Sequence, residues 1–280
     1  MVPQSTGRHG DDQRLDWARG SFSRRNGGKG MDLSVHGLAA RQLADYRART
    51  PGTFFAEVDQ PRLNLDAAYA VQSEVASLRA AEGEPVAGYK VGATGLGVRE
   101  QFGMDGPIRG FVYGTELYPS GAELSHASYT NLAIEGELAV RLGDSAEIVR
   151  IFPVIELHNY VFRSKTPNLQ ELIANNGVHA GVVLPVTEGR EWRGEESLTG
   201  ALRVEINGRT VAEGSMSGVP GGPVGSVEWL RRNLRAYDLT LRPRQLVLTG
   251  TPLGLYPVRP DDIVCVTAER LGTVEATVVP

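Results

Sequence analysis

Beyond Gly83 the sequence is divided into short runs of β-branched residues that end at glycine, proline or asparagine. Of all the features of the sequence, this pattern constrains the possible folds most strongly. Runs of this length and composition are typical of strands. Asn207-Gly208, between two such runs, is typical of a two-residue hairpin turn. A β-rich body is therefore expected. The predicted strands are Val86–Val91, Leu132–Leu142, Ile151–Leu157, Gly181–Val186, Leu202–Ile206, Gln245–Thr249, Ile263–Thr267 and Thr273–Val279.

Helical spacing of apolar residues is confined to three segments, from about Asp32 to Arg47, Asn64 to Ala81 and Ser226 to Tyr237. Asn64 is a residue type that caps a helix N-terminus well. Helices that come first and are followed mainly by strands indicate an α+β fold.

Charge and composition exclude several classes of protein. The 29 basic and 33 acidic residues give a net charge of −4, which shows no electrostatic sign of a nucleic-acid partner. No apolar run approaches the roughly 20 residues needed to cross a bilayer. The one cysteine, Cys265, excludes an internal disulfide framework and a cysteine-based zinc cluster. Residues 1–30 are weakly basic and rich in glycine and serine, which predicts a disordered tail or an extension.

A glycine-rich segment, Gly92-Ala93-Thr94-Gly95-Leu96-Gly97, follows a predicted strand in the manner of a dinucleotide-binding loop. Such a loop opens a helix, and an acidic residue follows about 20 positions later. Here Gly103, Gly106 and Pro107 interrupt the chain soon afterwards. We therefore interpret the segment as a turn or an active-site loop rather than a nicotinamide site.

Two glutamates occupy alternate positions in the predicted strand Leu132–Leu142. Alternate residues share one face, so Glu135 and Glu137 lie about 6.6 Å apart along the strand and can converge on one cation. A strand with one solvated acidic face gives the same alternation. The pair alone does not decide between these interpretations.

A third glutamate, Glu156, lies in a segment that is apolar on both faces, where an ionised carboxylate is costly unless it is paired or binds metal. Lys90 is similarly isolated in an apolar, glycine-flanked strand. A structural Glu156–Lys90 salt bridge satisfies both residues. Three acids and one base also suit a hard divalent cation, with Lys90 near the substrate, and oxygen ligands favour Mg²⁺ or Mn²⁺ over zinc.

Two histidines lie within reach of this cluster. His158 shares a strand face with Glu156, and His179 lies in a loop that enters the next strand. A hydrogen-bonded structural role is the common role for such residues, and His179 is the stronger candidate for catalysis. The turn that begins at Thr249 and includes Thr251 offers hydroxyls and amides to a substrate carboxylate, or simply ends a strand.

From about Leu38 to Pro280 the chain resembles the fumarylacetoacetate hydrolase superfamily, in particular its 2-hydroxypenta-2,4-dienoate (2-keto-4-pentenoate) hydratase and 4-oxalocrotonate decarboxylase branch. The order and spacing of several short motifs carry the resemblance. They are Asp66–Gln72, Gly88–Thr94, Gly103–Gly110, Glu135-Gly136-Glu137 with Glu156, Gly222–Leu230, Val247–Gly250 and Leu271–Val274.

The resemblance implies a mixed β-roll catalytic domain at 109–280, preceded by a smaller α/β segment at 31–108. It further implies a homo-oligomer that acts on a small 2-oxo acid. We expect a cytoplasmic protein, and its charge and composition predict no nucleic-acid or membrane partner. The site residues expected are Lys90 and His179 for catalysis, Thr94, Thr249 and Thr251 for substrate binding, and Glu135, Glu137 and Glu156 for Mg²⁺ or Mn²⁺.

Two departures from the hydratase pattern concern proton transfer. Where hydratases usually place an aspartate after the loop at Gly110, this chain has Thr115, with Glu116 beside it. Where they place a serine, it has Val178, and His179 follows. A metal-dependent hydratase that converts a 2-hydroxy-2,4-dienoate to a 4-hydroxy-2-oxo acid is expected. A 2-oxo-acid decarboxylase, an acylpyruvate C–C hydrolase and a catalytically silent subunit are the alternatives.

Overall fold

The computed structural model describes residues 34–49, 63–95, 97, 99–100, 103–161, 168–195 and 198–280. The predicted tail at 1–30 and the predicted helix start at Asp32 lie outside these residues. Among the described helices, none is long and apolar enough to cross a membrane.

Four α-helices are described: α1 (Val35–Arg47), α2 (Leu65–Ala81), α3 (Leu169–Ala174) and α4 (Gly222–Ala236). The side chains of Ser34 and Asn64 cap α1 and α2 by accepting backbone N–H bonds, as such residues do at helix starts. The three predicted helices are confirmed, and α4 begins four residues earlier than expected. Helix α3 is not predicted from the sequence, because its six residues are too few to show helical periodicity.

The strands match the predicted runs closely, and Leu132–Leu142 matches at both ends. The strands that the sequence pattern does not predict are Ile108–Tyr113, Leu117–Pro119, Ala122–Ser125, Arg190–Glu191 and Tyr256–Pro257. In chain order the strands are β1 (Val86–Gly92), β2 (Ile108–Tyr113), β3 (Leu117–Pro119), β4 (Ala122–Ser125), β5 (Leu132–Leu142), β6 (Ile148–Asn159), β7 (His179–Leu184), β8 (Arg190–Glu191), β9 (Ala201–Ile206), β10 (Arg209–Ser215), β11 (Leu246–Leu248), β12 (Tyr256–Pro257), β13 (Ile263–Ala268) and β14 (Gly272–Val279).

The strands form two mixed sheets, which confirms the predicted α+β fold. The larger has the order β2-β1-β11-β5-β6-β7-β3, with β12 added to β5 and β8 to β6. The smaller has the order β10-β9-β13-β14-β4. The predicted domain boundary after residue 108 lies inside β2, and β1 pairs in parallel with β11 of the C-terminal half. The division into two domains stays a prediction.

Gly136 lets the two sheets pack closely. Ile134 and Leu138 on the same face of β5 belong to the main hydrophobic core with Val204 of β9 and Val266 of β13. A Cβ at position 136 would lie 2.4 Å from the Val204 Cγ2 atom. The second sheet therefore covers this face of β5, and the glutamates on either side of Gly136 must point the other way.

Gly136→Ala should destabilise the protein by about 1–3 kcal/mol, because the added methyl group overlaps the Val204 side chain. Urea unfolding measures the loss. Gly225→Ala is the matched control, since a Cβ there meets only the Pro220 carbonyl oxygen at 3.7 Å inside α4. The control should leave stability unchanged or raise it by up to about 1 kcal/mol. Equal stability of the two variants would contradict the packing argument.

Candidate active site

The candidate site lies on the face of β5 and β6 that points away from the second sheet. Glu135 and Glu156 are direct cross-strand partners, so their side chains leave the sheet on the same side. Glu137 follows two residues along β5 and His158 two residues along β6, so both share this face. Because the strands are antiparallel, Glu137 and His158 flank the central pair at opposite ends.

Glu156 is the most heavily bonded group of the site, and it is almost fully buried. Its Oε1 atom lies 3.1 Å from the Lys90 Nζ atom and 2.7 Å from the His179 Nδ1 atom. Its Oε2 atom lies 3.3 Å from the His158 Nε2 atom. Burial would raise the pKa of the Glu156 carboxyl, but the charges of Lys90 and His158 hold this pKa well below its usual range. The carboxylate is therefore ionised in the protein interior.

Lys90 lies in a slot lined by glycines. Its Nζ atom donates a 2.7 Å hydrogen bond to the Gly177 carbonyl oxygen. A Cβ at Gly177 would lie 2.8 Å from the lysine Cε atom, and one at Gly110 would lie 3.0 Å from its Cγ atom. The turn that presents the Gly177 carbonyl has φ near +60° at three consecutive residues, including Val178 at φ 57°. A β-branched residue at such a φ is strained, which is typical of functional sites.

Glu137 and His158 carry the unpartnered polar atoms of the site. Both carboxylate oxygens of Glu137 and both ring nitrogens of His158 are buried without a hydrogen-bond partner among the described residues. Burial and the charges of Glu156 and Glu135 raise the pKa of Glu137 well above its usual range. Burial lowers the pKa of His158, but the same two carboxylates outweigh burial and raise it to about 9.

Three side chains form a compact group of potential metal ligands. One ligand atom each from Glu135, Glu156 and His158 lies within 4.8 Å of the others. Glu137, which the sequence predicts as a ligand, lies beside this group, and its pKa responds to both other glutamates. The sequence predicts that His158 shares a strand face with Glu156 and reaches the cluster, but it assigns His158 no role as a metal ligand. The two-residue strand spacing that relates it to Glu156 was the available signal.

A cleft of about 330 Å³ leads to Glu135. Thr94 and Thr251, two of the predicted substrate-binding residues, line this cleft together with Gly92 and Gly250. The third, Thr249, is buried, and its hydroxyl donates a 2.7 Å hydrogen bond to the Leu138 carbonyl oxygen. Thr249 is not among the described residues that line the cleft.

His179 is placed behind Glu156 rather than in the cleft. Its side chain is fully buried, and its Nδ1 atom contacts the Glu156 Oε1 atom on the side of Lys90. Its Nε2 atom has no hydrogen-bond partner in the part of the chain that the structure describes. The geometry therefore suits His179 to holding Glu156 in position.

Residues 107–279, well over half of the chain, match the family model described as the fumarylacetoacetate (FAA) hydrolase C-terminal domain. The chain belongs to the fumarylacetoacetate hydrolase family. This finding confirms the resemblance noted in the sequence. The matched region contains β5 and β6 with all three glutamates, whereas Lys90 precedes it.

Members of this family with similar sequences include hydratases and decarboxylases. The 2-oxo-hept-4-ene-1,7-dioate hydratase of Escherichia coli is 26% identical over 265 residues, which cover 87% of this chain and 98% of the relative. The solved structure of 4-oxalocrotonate decarboxylase from Pseudomonas putida G7 with magnesium and adipate superposes with a TM-score of 0.79 at 25% identity. The superposition covers 88% of this chain and 97% of the decarboxylase chain. The similarity thus extends over nearly the whole length of both relatives.

The hydratase-pattern departure at Thr115 and Glu116 lies in a separate ion cluster. Arg79 donates hydrogen bonds to Glu116 at 2.7 Å and to Glu84 at 3.0 Å. The Thr115 hydroxyl donates to Glu84 at 3.2 Å. The guanidinium also stacks on Tyr113 at 3.6 Å from the ring centroid. The Tyr46 hydroxyl of α1 also donates to Glu116, at 3.3 Å. The hydrogen bonds described for Thr115 and Glu116 therefore join the turn after β2 to the two N-terminal helices and the segment after α2, and they do not include the site carboxylates.

Glu84→Gln should reduce the loss of stability in acid. Burial raises the pKa of Glu84, but hydrogen bonds from Arg79 and Arg47 outweigh burial and hold this pKa below its usual value. A lowered carboxyl pKa stabilises the fold above the unfolded-state pKa, and this contribution disappears as the pH falls through the lower folded-state value. The free energy of unfolding in urea, determined at about pH 7 and at a series of values below about pH 4.5, measures this contribution.

The wild-type protein should lose more stability over this range than the Glu84→Gln variant, which starts out less stable at neutral pH. Glu228→Gln removes an exposed carboxylate of α4 and is the control, with wild-type behaviour expected. The same acid sensitivity in wild type and the Glu84 variant would show that the cluster contributes nothing to pH dependence.

Proposed function

We propose that the protein is a divalent-metal-dependent hydro-lyase that adds water to a 2-hydroxy-2,4-dienoate and forms a 4-hydroxy-2-oxo acid. The observation that carries the proposal is the group of Glu135, Glu156 and His158 at a cleft, with Glu137 on the same strand face and the Lys90 ammonium paired with Glu156. Relatives named as hydratases are similar over nearly their whole length. The cytoplasmic location and the homo-oligomeric state expected from the family belong to the same proposal.

The residues present fit a divalent cation. Glu137 is fully buried with two unpartnered carboxylate oxygens, an arrangement that is costly unless a cation neutralises it. Glu135 and Glu156 supply further oxygen donors, which suit Mg²⁺ or Mn²⁺. The decarboxylase relative was solved with magnesium and with calcium. These three glutamates would hold the ion, which supplies positive charge to stabilise an enolate oxygen.

The chain's own residues would bind and orient the substrate. Lys90 adds a fixed positive charge close to the cleft. Gly92 lines the cleft, and a Cβ at Gly92 would lie 3.3 Å from the Lys90 Nζ atom. This charge would hold the substrate anion. The Thr94 hydroxyl would contact its carboxylate. The Thr251 hydroxyl donates a 2.6 Å hydrogen bond to the Gly136 carbonyl oxygen, so Thr251 would shape the wall of the cleft. Thr249 would instead fix the strand end, since its hydroxyl is bonded to the Leu138 carbonyl oxygen.

His179 would act through Glu156. Its 2.7 Å hydrogen bond holds the Oε1 atom, which leaves the Oε2 atom directed at the other site groups. Histidine–carboxylate contacts of this kind orient metal-ligating side chains. Lys90 adds to this restraint, because it contacts the same oxygen.

Decarboxylation of a 2-oxo acid is a second candidate activity. The solved decarboxylase superposes over 97% of its length, and the enolate left when CO₂ departs needs the same stabilisation as the enolate of the hydratase reaction. Hydrolysis of an acylpyruvate requires in addition a base that activates water. Products distinguish the three activities.

Incubation of the protein and Mg²⁺ or Mn²⁺ with 2-hydroxypenta-2,4-dienoate should give a product heavier by one water, measured by mass spectrometry. Chelation of the metal should abolish turnover. Lys90→Met should lower turnover by at least about 100-fold, because the variant lacks the fixed charge. Glu228→Gln, on the exposed face of α4, should retain full activity.

Loss of CO₂ from 4-oxalocrotonate without hydration of the dienoate would favour the decarboxylase. Cleavage of an acylpyruvate into two acids would favour the hydrolase. Absence of both turnover and metal binding would overturn the proposal in favour of a silent subunit.

Glu137→Gln should have opposite effects on stability and on metal binding. The variant removes a buried carboxylate that Glu156 and Glu135 repel, so the metal-free protein should melt at a higher temperature at neutral pH. It also removes a proposed ligand, so the affinity for Mn²⁺ should fall at least about tenfold. Thermal unfolding in a chelator and calorimetric titration with Mn²⁺ measure the two effects. Unchanged Mn²⁺ affinity would remove Glu137 from the metal site.

A further inference from the structure

His158 is related to the central carboxylates by the geometry of the sheet. It lies two residues from Glu156 on the same face of β6. Its Nε2 atom is 3.3 Å from the Glu156 Oε2 atom and 3.4 Å from the Glu135 Oε2 atom. Two ligand atoms at right angles around one ion, each about 2.1 Å from it, are about 3 Å apart. Both distances from the His158 Nε2 atom are therefore close to the spacing of neighbouring ligands.

The contacts of His158 differ from those of His179. The His179 Nδ1 atom and the Glu156 Oε1 atom form a short hydrogen bond of 2.7 Å. The His158 Nε2 atom lies farther from both carboxylates, and neither contact has hydrogen-bond geometry. An ion pair within a buried site normally closes to about 2.7–2.9 Å. The position of His158 is thus poorly explained by pairing alone.

The two oxygens of Glu156 have separate partners. Lys90 and His179 both contact Oε1, whereas Oε2 faces His158. The first pair of contacts fixes the carboxylate, as the outer partners of metal ligands do. The second oxygen is left for a shared cation. His158 itself is only 4% exposed, so bulk water does not satisfy its ring nitrogens.

We infer that the His158 Nε2 atom is a direct ligand of the metal ion, together with carboxylate oxygens of Glu135 and Glu156. The inference rests on the proposed function, since it concerns the ion of that same site. An imidazole ligand shifts the preference of an otherwise oxygen-lined site from Mg²⁺ toward Mn²⁺, Co²⁺ or Ni²⁺. The physiological ion would then be a first-row transition metal.

Electron spin echo envelope modulation of the Mn²⁺-loaded full-length protein tests the inference without substrate. The wild-type protein should show modulation from a directly bound nitrogen. His158→Gln should lose this signal, whereas His179→Gln should retain it, because His179 contacts Glu156 and not the ion. Circular dichroism verifies that each variant folds, and the wild-type spectrum with the His179 variant decides the question even if His158→Gln does not fold.

Calorimetric titration with Mg²⁺ and with Ni²⁺ gives an independent measurement. His158→Gln should weaken Ni²⁺ binding at least about tenfold more than Mg²⁺ binding. His179→Gln should weaken both by a similar factor and leave their ratio unchanged.

Mn²⁺ binding without a nitrogen signal would overturn the role of His158 and leave the proposed hydro-lyase intact. A signal that persists in His158→Gln and disappears in His179→Gln would assign the ligand to His179 instead. No binding of Mn²⁺, Ni²⁺ or Mg²⁺ to the wild-type protein would overturn the metal-dependent function and this inference together.

Discussion

The buried Lys90–Glu156 ion pair is the interaction on which the site depends. Glu156 lies in a strand whose other residues are almost all buried, so its charge requires compensation. Lys90 provides it from β1, which is separated from β6 by β11 and β5 in the sheet. An ion pair across four strands constrains the curvature of the sheet as well as the charge. Removal of either partner leaves an uncompensated buried charge, which typically costs about 3–5 kcal/mol.

The two faces of β5 divide structural and chemical roles between alternate residues. Ile134, Gly136 and Leu138 face the second sheet, whereas Glu135 and Glu137 face the site. A one-residue slip of register would place both glutamates in the core. The tight packing at Gly136 thus protects the geometry of the carboxylates, although Gly136 itself contacts none of the reacting groups.

Strand alternation was enough to predict that Glu135 and Glu137 lie on one face of β5, because the two-residue period of a strand does not depend on the neighbouring strands. The sequence also presented the Lys90–Glu156 salt bridge and a cation site of three acids as alternatives. The structure contains the salt bridge, and it groups Glu135 and Glu156 with His158 as potential metal ligands. The position of His179 behind Glu156 depends on a register shift between β6 and β7 that the sequence does not reveal. Strand β2 was missed because Arg109 reads as polar, yet it is fully buried and stacks on Tyr69.

The bond from Lys90 to the Gly177 carbonyl joins residues 87 positions apart. No short peptide of this chain can reproduce the arrangement, so it exists only once the topology is complete. A molecule bound there is released when any of the contributing strands separates. Binding and unfolding are consequently linked equilibria, and a saturating ligand protects the whole sheet from proteolysis and heat to a degree set by its affinity.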